Sequence, residues 1–335
     1  MALRDWAALT GLLLRLSRPG SAEPDPAVTE TRDLELGRAG RYDCYAPRSK
    51  SPRAAVVAVH GVTVHGGRDP RLVHFARSLA RSRTVCYVPT LEGLSSCRLL
   101  AADVAELGTL ALLARKQTGL RPGLVGFCHG ASYALVLASQ PEHASGIAFV
   151  TSFGAYHSLE TLLDEYVAAA AQPLAVGRAL DDRIYLNLML ARSYGDRLAL
   201  APEVRRGVDE LLARYCHEAT DEEKRAFYEQ HLCTLGLERL AHDTEEPSLL
   251  RALSPAGRLG QIEAAVSIIH DAHDPMVPPG HAQRIFNELS GAAEARRHRL
   301  LITPLLSHVT LADALRLGDV AGLLRALEPV VRQGR

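Results

Sequence analysis

The segment Gly126-Phe127-Cys128-His129-Gly130 sets a thiol between two glycines in a Gly-x-Cys-x-Gly spacing. Between a strand and a helix, such a turn lifts its central residue off a sheet and holds it at a helix N-terminus. The glycines are needed because side chains would clash in so tight a turn. The partial positive charge at a helix N-terminus favours a thiolate, so Cys128 reads as a nucleophile. Two later segments could complete a site. His270-Asp271-Ala272-His273-Asp274-Pro275-Met276-Val277-Pro278 puts Asp274 just past the end of an apolar run, where an open α/β sheet places a site acid. Leu305-Leu306-Ser307-His308-Val309 puts His308 in a loop at the same edge. Nucleophile, acid and histidine, in that chain order, can carry out acyl transfer: a thiolate attacks a carbonyl while the histidine moves protons. Asp271 is the competing acid, nearer the strand. His270 and His273 could hold a metal with Asp274, but no further ligand stands at a known spacing, so no metal and no cofactor is expected.

A fourth segment, Val56-Val57-Ala58-Val59-His60-Gly61-Val62, ends an apolar run in His-Gly. There the backbone N–H of Val62 can face the nucleophile and form an oxyanion hole with the N–H of His129. His60 is expected to support this loop by hydrogen bonding rather than to transfer protons. His65-Gly66-Gly67 is a competing glycine loop.

These residues need a scaffold, and apolar patterning supplies one. Residues 31–36 and 41–45 read as two strands joined by a turn at 37–40. Residues 54–60 form a continuous Val-rich run, as in a strand buried on both faces. Helical spacing runs over 70–81, with Asp69 as cap and Pro70 at the first position. Further strands are expected over 84–88, 123–127, 146–151, 265–269 and 297–302. Further helices are expected over 95–116, 131–139, 280–289 and 320–331. Residues 155–259 carry helical periodicity and no strand, with a capping-box pattern from Thr220 to Glu223. The fold class that follows is α/β: a mostly parallel sheet of about eight strands flanked by helices. The helical block becomes an insertion at a strand end, where it can act as a lid.

Composition narrows the function. Of 335 residues, 38 are Lys or Arg and 38 are Asp or Glu. That balance argues against a nucleic-acid partner, which needs a basic excess. Hydrophobic residues at 47% and charged residues at 23% are globular values. Six cysteines without a C-x-x-C pair make neither a disulfide scaffold nor a zinc ribbon. Cys44 and Cys86 fall in strand patterns, and Cys97, Cys216 and Cys233 in helical ones. The apolar residues 7–14 fall far short of a membrane span. They read as an amphipathic helix docked on the body, with a secretory signal as the alternative. Pro19, Gly20, Pro24 and Pro26 then mark a linker. The expected organisation is an N-terminal helix and linker over 1–30, core over 31–154, lid over 155–259 and core again over 260–335.

The Cys128 elbow, Asp274 and His308 resemble the α/β-hydrolase superfamily, over about residues 31–331. A cysteine at the elbow is similar to the dienelactone hydrolases, in which a Cys–Asp–His triad opens enol lactones. The resemblance implies Cys128 as nucleophile, His308 as base and acid, and Asp274 orienting His308. Gly130-Ala131 stands where that family usually has two glycines, and the family lacks a large helical insertion. The insertion, Leu253-Ser254-Pro255 and the His270–Pro278 tract look more like lidded esterases and peptidases, which usually carry serine at the elbow. The function expected is hydrolysis of an activated small acyl substrate (an ester, lactone or thioester) in a reducing cytoplasm. An acyltransferase with the same triad and a non-catalytic ligand-binding protein of this fold are the alternatives. The sequence leaves the oligomeric state open.

Overall fold

The computed structural model describes residues 3–16, 23–37, 40–170, 178–196, 198–215, 218–233, 247–291, 297–307, 310–311 and 317–332. Its main sheet has eight strands: β1 (Val28–Leu36), β2 (Gly40–Pro47), β3 (Ala54–Val59), β4 (Thr84–Thr90), β5 (Gly123–Phe127), β6 (Phe149–Phe153), β7 (Ala265–Asp271) and β8 (Arg299–Thr303). They lie in the order β1-β2-β4-β3-β5-β6-β7-β8. Strands β4 to β8 and β3 run parallel, whereas β2 runs against both its neighbours. The order reverses at β3. The chain goes from β3 outward to β4, then returns to add β5 on the other side. Such a switch point opens a crevice at the carboxyl ends of the two strands, which is where open α/β sheets place their ligands.

Strand β3 shows why the sheet is buried on both faces. Val57 and Val59 join one core with the helices Ala101–Thr118 and His129–Ala138. Val56 and Ala58 join a second core with the helices Leu3–Leu16 and Pro70–Arg81. Alternate side chains of a strand point to opposite faces, so an uninterrupted apolar run serves both layers. Asp69 caps the helix Pro70–Arg81, accepting from the Arg71 N–H at 2.9 Å. The helix Leu3–Leu16 docks through Leu9 and Leu12, both fully buried, and no helix among the described residues is long and apolar enough to cross a membrane. Pro19 and Gly20 of the expected linker lie outside the described residues.

Three expected elements differ. In place of one helix over 95–116 there are two, Glu92–Ser95 and Ala101–Thr118. Between them Cys97 takes a left-handed φ of 59°, so it is not helical. The cause is Asp103, whose buried carboxylate accepts from the N–H groups of Gly93 and Leu94 at 3.1 and 3.0 Å. The last helix is broken into Leu317–Ala326 and Glu328–Arg332. Pro329 cannot donate to the Arg325 carbonyl, which instead accepts from Arg299. Strand β6 begins at Phe149, after Gly146 has closed the turn leaving the short helix Pro141–Ala144.

All described regular structure between β6 and β7 is helical, as expected. The stretch leaves and returns through one clasp. Tyr156 Oη donates to the Leu253 carbonyl at 2.9 Å, the Leu159 N–H donates to Ser254 Oγ at 2.9 Å, and the Ala256 N–H donates to the His157 carbonyl at 3.0 Å. The capping box at Thr220 is present, with Glu223 bonded back to the Thr220 N–H at 2.9 Å. A separate apolar cluster of this block, including Leu188, Met189 and Leu211, takes in Val62 and Val64 from the loop after β3.

Candidate active site

Register brings the ends of the central strands level. Val59 pairs with Gly126, Phe127 with Phe153, and Phe153 with Ile269. The residues that follow therefore share one edge of the sheet: His60 after β3, Cys128 after β5 and His270 near the end of β7. Cys128 continues the ladder by one bond, its N–H donating to the Phe153 carbonyl at 2.8 Å. The chain then turns sharply. Cys128 has φ 52° and ψ −125°, a conformation that L residues avoid, and it stands at the N-cap of the helix His129–Ala138. A non-glycine residue held there costs on the order of 1–3 kcal/mol and persists only where its surroundings enforce it.

The surroundings are the glycines. A Cβ on Gly126 would lie 2.4 Å from the Cα of Ala131, and one on Gly130 would lie 2.1 Å from the His60 carbonyl oxygen. Gly61 approaches from the other side, where a Cβ would meet the Cβ of Cys128 at 3.0 Å. The loop after β3 is thus packed against the elbow. Among the described residues neither the Val62 N–H nor the His129 N–H donates a hydrogen bond within the chain, and helices leave their first N–H groups without internal partners. The competing loop is used elsewhere. Gly66–Arg68 forms a single 3-10 turn, and a Cβ on Gly67 would strike the Pro89 carbonyl at 2.7 Å.

His60 is buried, with both ring nitrogens occupied. Nε2 accepts from the Leu91 N–H at 3.1 Å, so Nδ1 carries the proton and donates to the Gly61 carbonyl at 2.7 Å. Burial pushes its pKa down to about 4. The neutral ring is therefore the form present above that pH, and its loop-bracing bonds are lost only as pH falls through it. The ring resonances of His60 are expected to stay constant from about pH 8 to pH 5 in an NMR titration. A midpoint above pH 6 would mean that His60 exchanges protons in the working range.

Asp274 lies in the turn after β7 with its side chain fully buried. Oδ1 accepts from the N–H groups of Met276 and Val277, both at 2.9 Å, which fixes the carboxylate. Oδ2 lies 3.6 Å from His270 Nε2, and that nitrogen donates to the Val277 carbonyl at 2.7 Å. Asp271, the competing acid, ends β7 and accepts from the His273 N–H at 3.0 Å. His308 lies outside the described residues, as does Cys216. The residues flanking His308 are placed: Ser307 pairs with Thr310 and Leu306 with Leu311. Leu306 is buried in the cluster that holds Phe127, Phe153 and Ile269, at the ends of β5, β6 and β7.

No protein-family description and no curated protein matches this chain. Solved structures do. A puromycin-hydrolysing peptidase of Mycobacterium tuberculosis superposes with a TM-score of 0.54 at 16% identity, over 92% of this chain and 40% of that one. A 2,6-dihydroxy-pseudo-oxynicotine hydrolase gives 0.53 at 16% identity, over 92% and 69%. A Pyrococcus furiosus esterase gives 0.51 at 10% identity, over 93% of this chain and 96% of that one. The fold is that of the α/β-hydrolases. Within it, Cys128 occupies the strained turn between β5 and the helix His129–Ala138, and Asp274 the turn after β7.

Two further residues at this edge of the sheet escape sequence reasoning. Tyr166, on the helix Leu159–Ala170, donates its hydroxyl to the Met276 carbonyl at 2.5 Å, tying the inserted helices to the Asp274 turn. No spacing rule connects residues that far apart in the chain. The His129 side chain is the other: Nδ1 stands 3.4 Å from Cys128 Sγ. Its adjacency to the thiol was the available signal.

Proposed function

We propose that the protein hydrolyses a small activated acyl substrate through a thioester formed on Cys128. The observation that carries this reading is the conformation of Cys128 itself: a non-glycine residue at φ 52° standing at the N-cap of a helix. That geometry exposes the sulfur to a carbonyl carbon and points the first N–H groups of the helix toward the same place. The Cys128 thiolate attacks, and the N–H groups of Val62 and His129 stabilise the oxyanion. His308 starts as the imidazolium, gives its proton to the leaving group and, now neutral, takes a proton from the water that attacks the thioester, with Asp274 orienting it. The hydrolases that share the fold support the reaction class.

The sulfur sets the substrate class. A thiolate is a good leaving group, so it is expelled from the tetrahedral intermediate before a poor one departs. Enol lactones, aryl esters and thioesters suit it better than amides or alkyl esters. The inserted helices serve as the lid, resting on Val62 and tied to the acid turn through Tyr166. No cysteine among the described residues is in a disulfide, which suits a reducing compartment such as the cytoplasm.

A panel of aryl esters, thioesters and enol lactones tests the proposal. The expected products are free acids, and intact-mass analysis of quenched enzyme should show an acyl adduct on the Cys128 peptide. Turnover without any adduct on that peptide, even with rapid quenching at low pH, counts against the thioester. An acylated acceptor in place of free acid would make the protein an acyltransferase.

A further inference from the structure

Cys128 Sγ and His129 Nδ1 are 3.4 Å apart, a hydrogen-bonding distance for sulfur. The imidazole is held in place. Its ring stands edge-on to Tyr156 with centroids 5.0 Å apart. Tyr156 is in turn fixed by Ser132, whose Oγ accepts from the Tyr156 N–H and donates to the Tyr156 carbonyl, both at 3.0 Å. His129 is half-buried.

Other titratable groups of the described residues lie around this pair. Among the described residues they include Tyr156 from the loop after β6 and Tyr166 from the helix Leu159–Ala170, which both interact with Cys128, with Asp274 beside Tyr166 and His60 packed against Gly130. Burial holds both phenols well above their ordinary range, so neither takes a proton from the thiol. His60 has both nitrogens engaged with backbone. Asp274 is fixed by the Met276 and Val277 N–H groups.

We propose that the His129 imidazole is a proton acceptor for Cys128, so that the nucleophile stands ready as a thiolate–imidazolium pair before substrate arrives. The Sγ–H bond breaks and an Nδ1–H bond forms. The sulfur keeps the electron pair, and His129 Nε2 keeps its proton, so the ring becomes the cation. His308 is then left for the later steps on the leaving group and on water. This inference rests on the reading of Cys128 as the nucleophile and deepens it.

Alkylation kinetics test it without turnover. An ordinary thiol with a pKa of ~8.5 is well under about 1% ionised at pH 6. A paired thiol is mostly thiolate there, though each thiolate is less nucleophilic, and the net gain in rate is about tenfold. Iodoacetamide labelling of the Cys128 peptide is followed by mass spectrometry from about pH 5 to pH 10 in the wild type, His308→Asn, His129→Asn and the double variant. Asparagine can place an amide where Nδ1 stands but cannot take the proton. The expected result is a low-pH plateau that survives in His308→Asn. In both His129→Asn backgrounds it disappears, and labelling at pH 6 falls about tenfold, while rates at high pH stay within about twofold. A plateau that vanishes in His308→Asn alone overturns the inference, and so does one that persists in the double variant. The single His308→Asn variant decides the matter even where a His129 substitution impairs folding. An active Cys128→Ala enzyme would instead remove the catalytic reading and leave the labelling profile to judge the pair by itself.

Discussion

Cys128→Ala is expected to lower kcat/KM for an aryl ester or thioester by a factor on the order of 10³ to 10⁶, because removing a covalent nucleophile leaves only the oxyanion donors and binding. The proposed donors are backbone N–H groups, so they survive the substitution. The thermal midpoint should move little, since alanine keeps the Cβ that packs against Gly61. Cys128→Gly sharpens the test. It removes the same sulfur and also the strain of φ 52°, ψ −125°. It should therefore be inactive yet more stable than the alanine variant, by about 1 kcal/mol, as read from denaturant midpoints. Stability gained where activity is lost marks a conformation held for function. Cys128→Ser should keep the fold and react more slowly, because its hydroxyl is far less acidic than the thiol. Undiminished turnover of an activated ester by Cys128→Ala would sink the nucleophile assignment.

The parts of this molecule that were legible in the sequence are those built from local signals. The β3 run, the Asp69 cap and the capping box at Thr220 each state their structure within a few residues. So does the elbow, because glycine spacing is a steric demand that cannot be met otherwise. What was hidden depends on partners distant in the chain or on backbone groups that carry no sequence label. The break at Cys97 follows from Asp103 folding back on Gly93 and Leu94. That turn contains neither a proline nor a glycine. The gap in the last helix was signalled by Pro329, but the partner that takes over the Arg325 carbonyl is Arg299, on strand β8. At the proposed site, the order of Cys128, Asp274 and His308 could be read along the chain. The two bonds that fix Asp274 and the clamp of Tyr166 on Met276 could not. Ala131 shows the same division. It stands where a second glycine was expected from the resemblance. A Cβ on Gly126 would lie only 2.4 Å from the Ala131 Cα, so the close approach there is made by Gly126 and Ala131 keeps its methyl.

Gly130→Ala should be the most damaging single methyl in the protein. The added Cβ would lie 2.1 Å from the His60 carbonyl oxygen, 2.8 Å from the Val59 oxygen and 2.9 Å from the His60 carbonyl carbon. All three are backbone atoms, so no side chain can rotate away to relieve the contact. Either the helix His129–Ala138 must retreat from the sheet, or the end of β3 must move. The first displaces Cys128 and the second displaces Gly61 and Val62, so each separates the nucleophile from one proposed oxyanion donor. Overpacking of this kind costs typically about 1–3 kcal/mol in an adaptable core, and more where backbone meets backbone. The expected loss is at least about 3 kcal/mol by denaturant titration, with turnover of the remaining folded fraction reduced as well. Gly260→Ala is the control, because a Cβ there meets nothing within 4 Å. A Gly130→Ala protein as stable and active as that control would mean that the elbow and the loop after β3 are not in contact, and the two proposed N–H donors would then not converge on one oxygen.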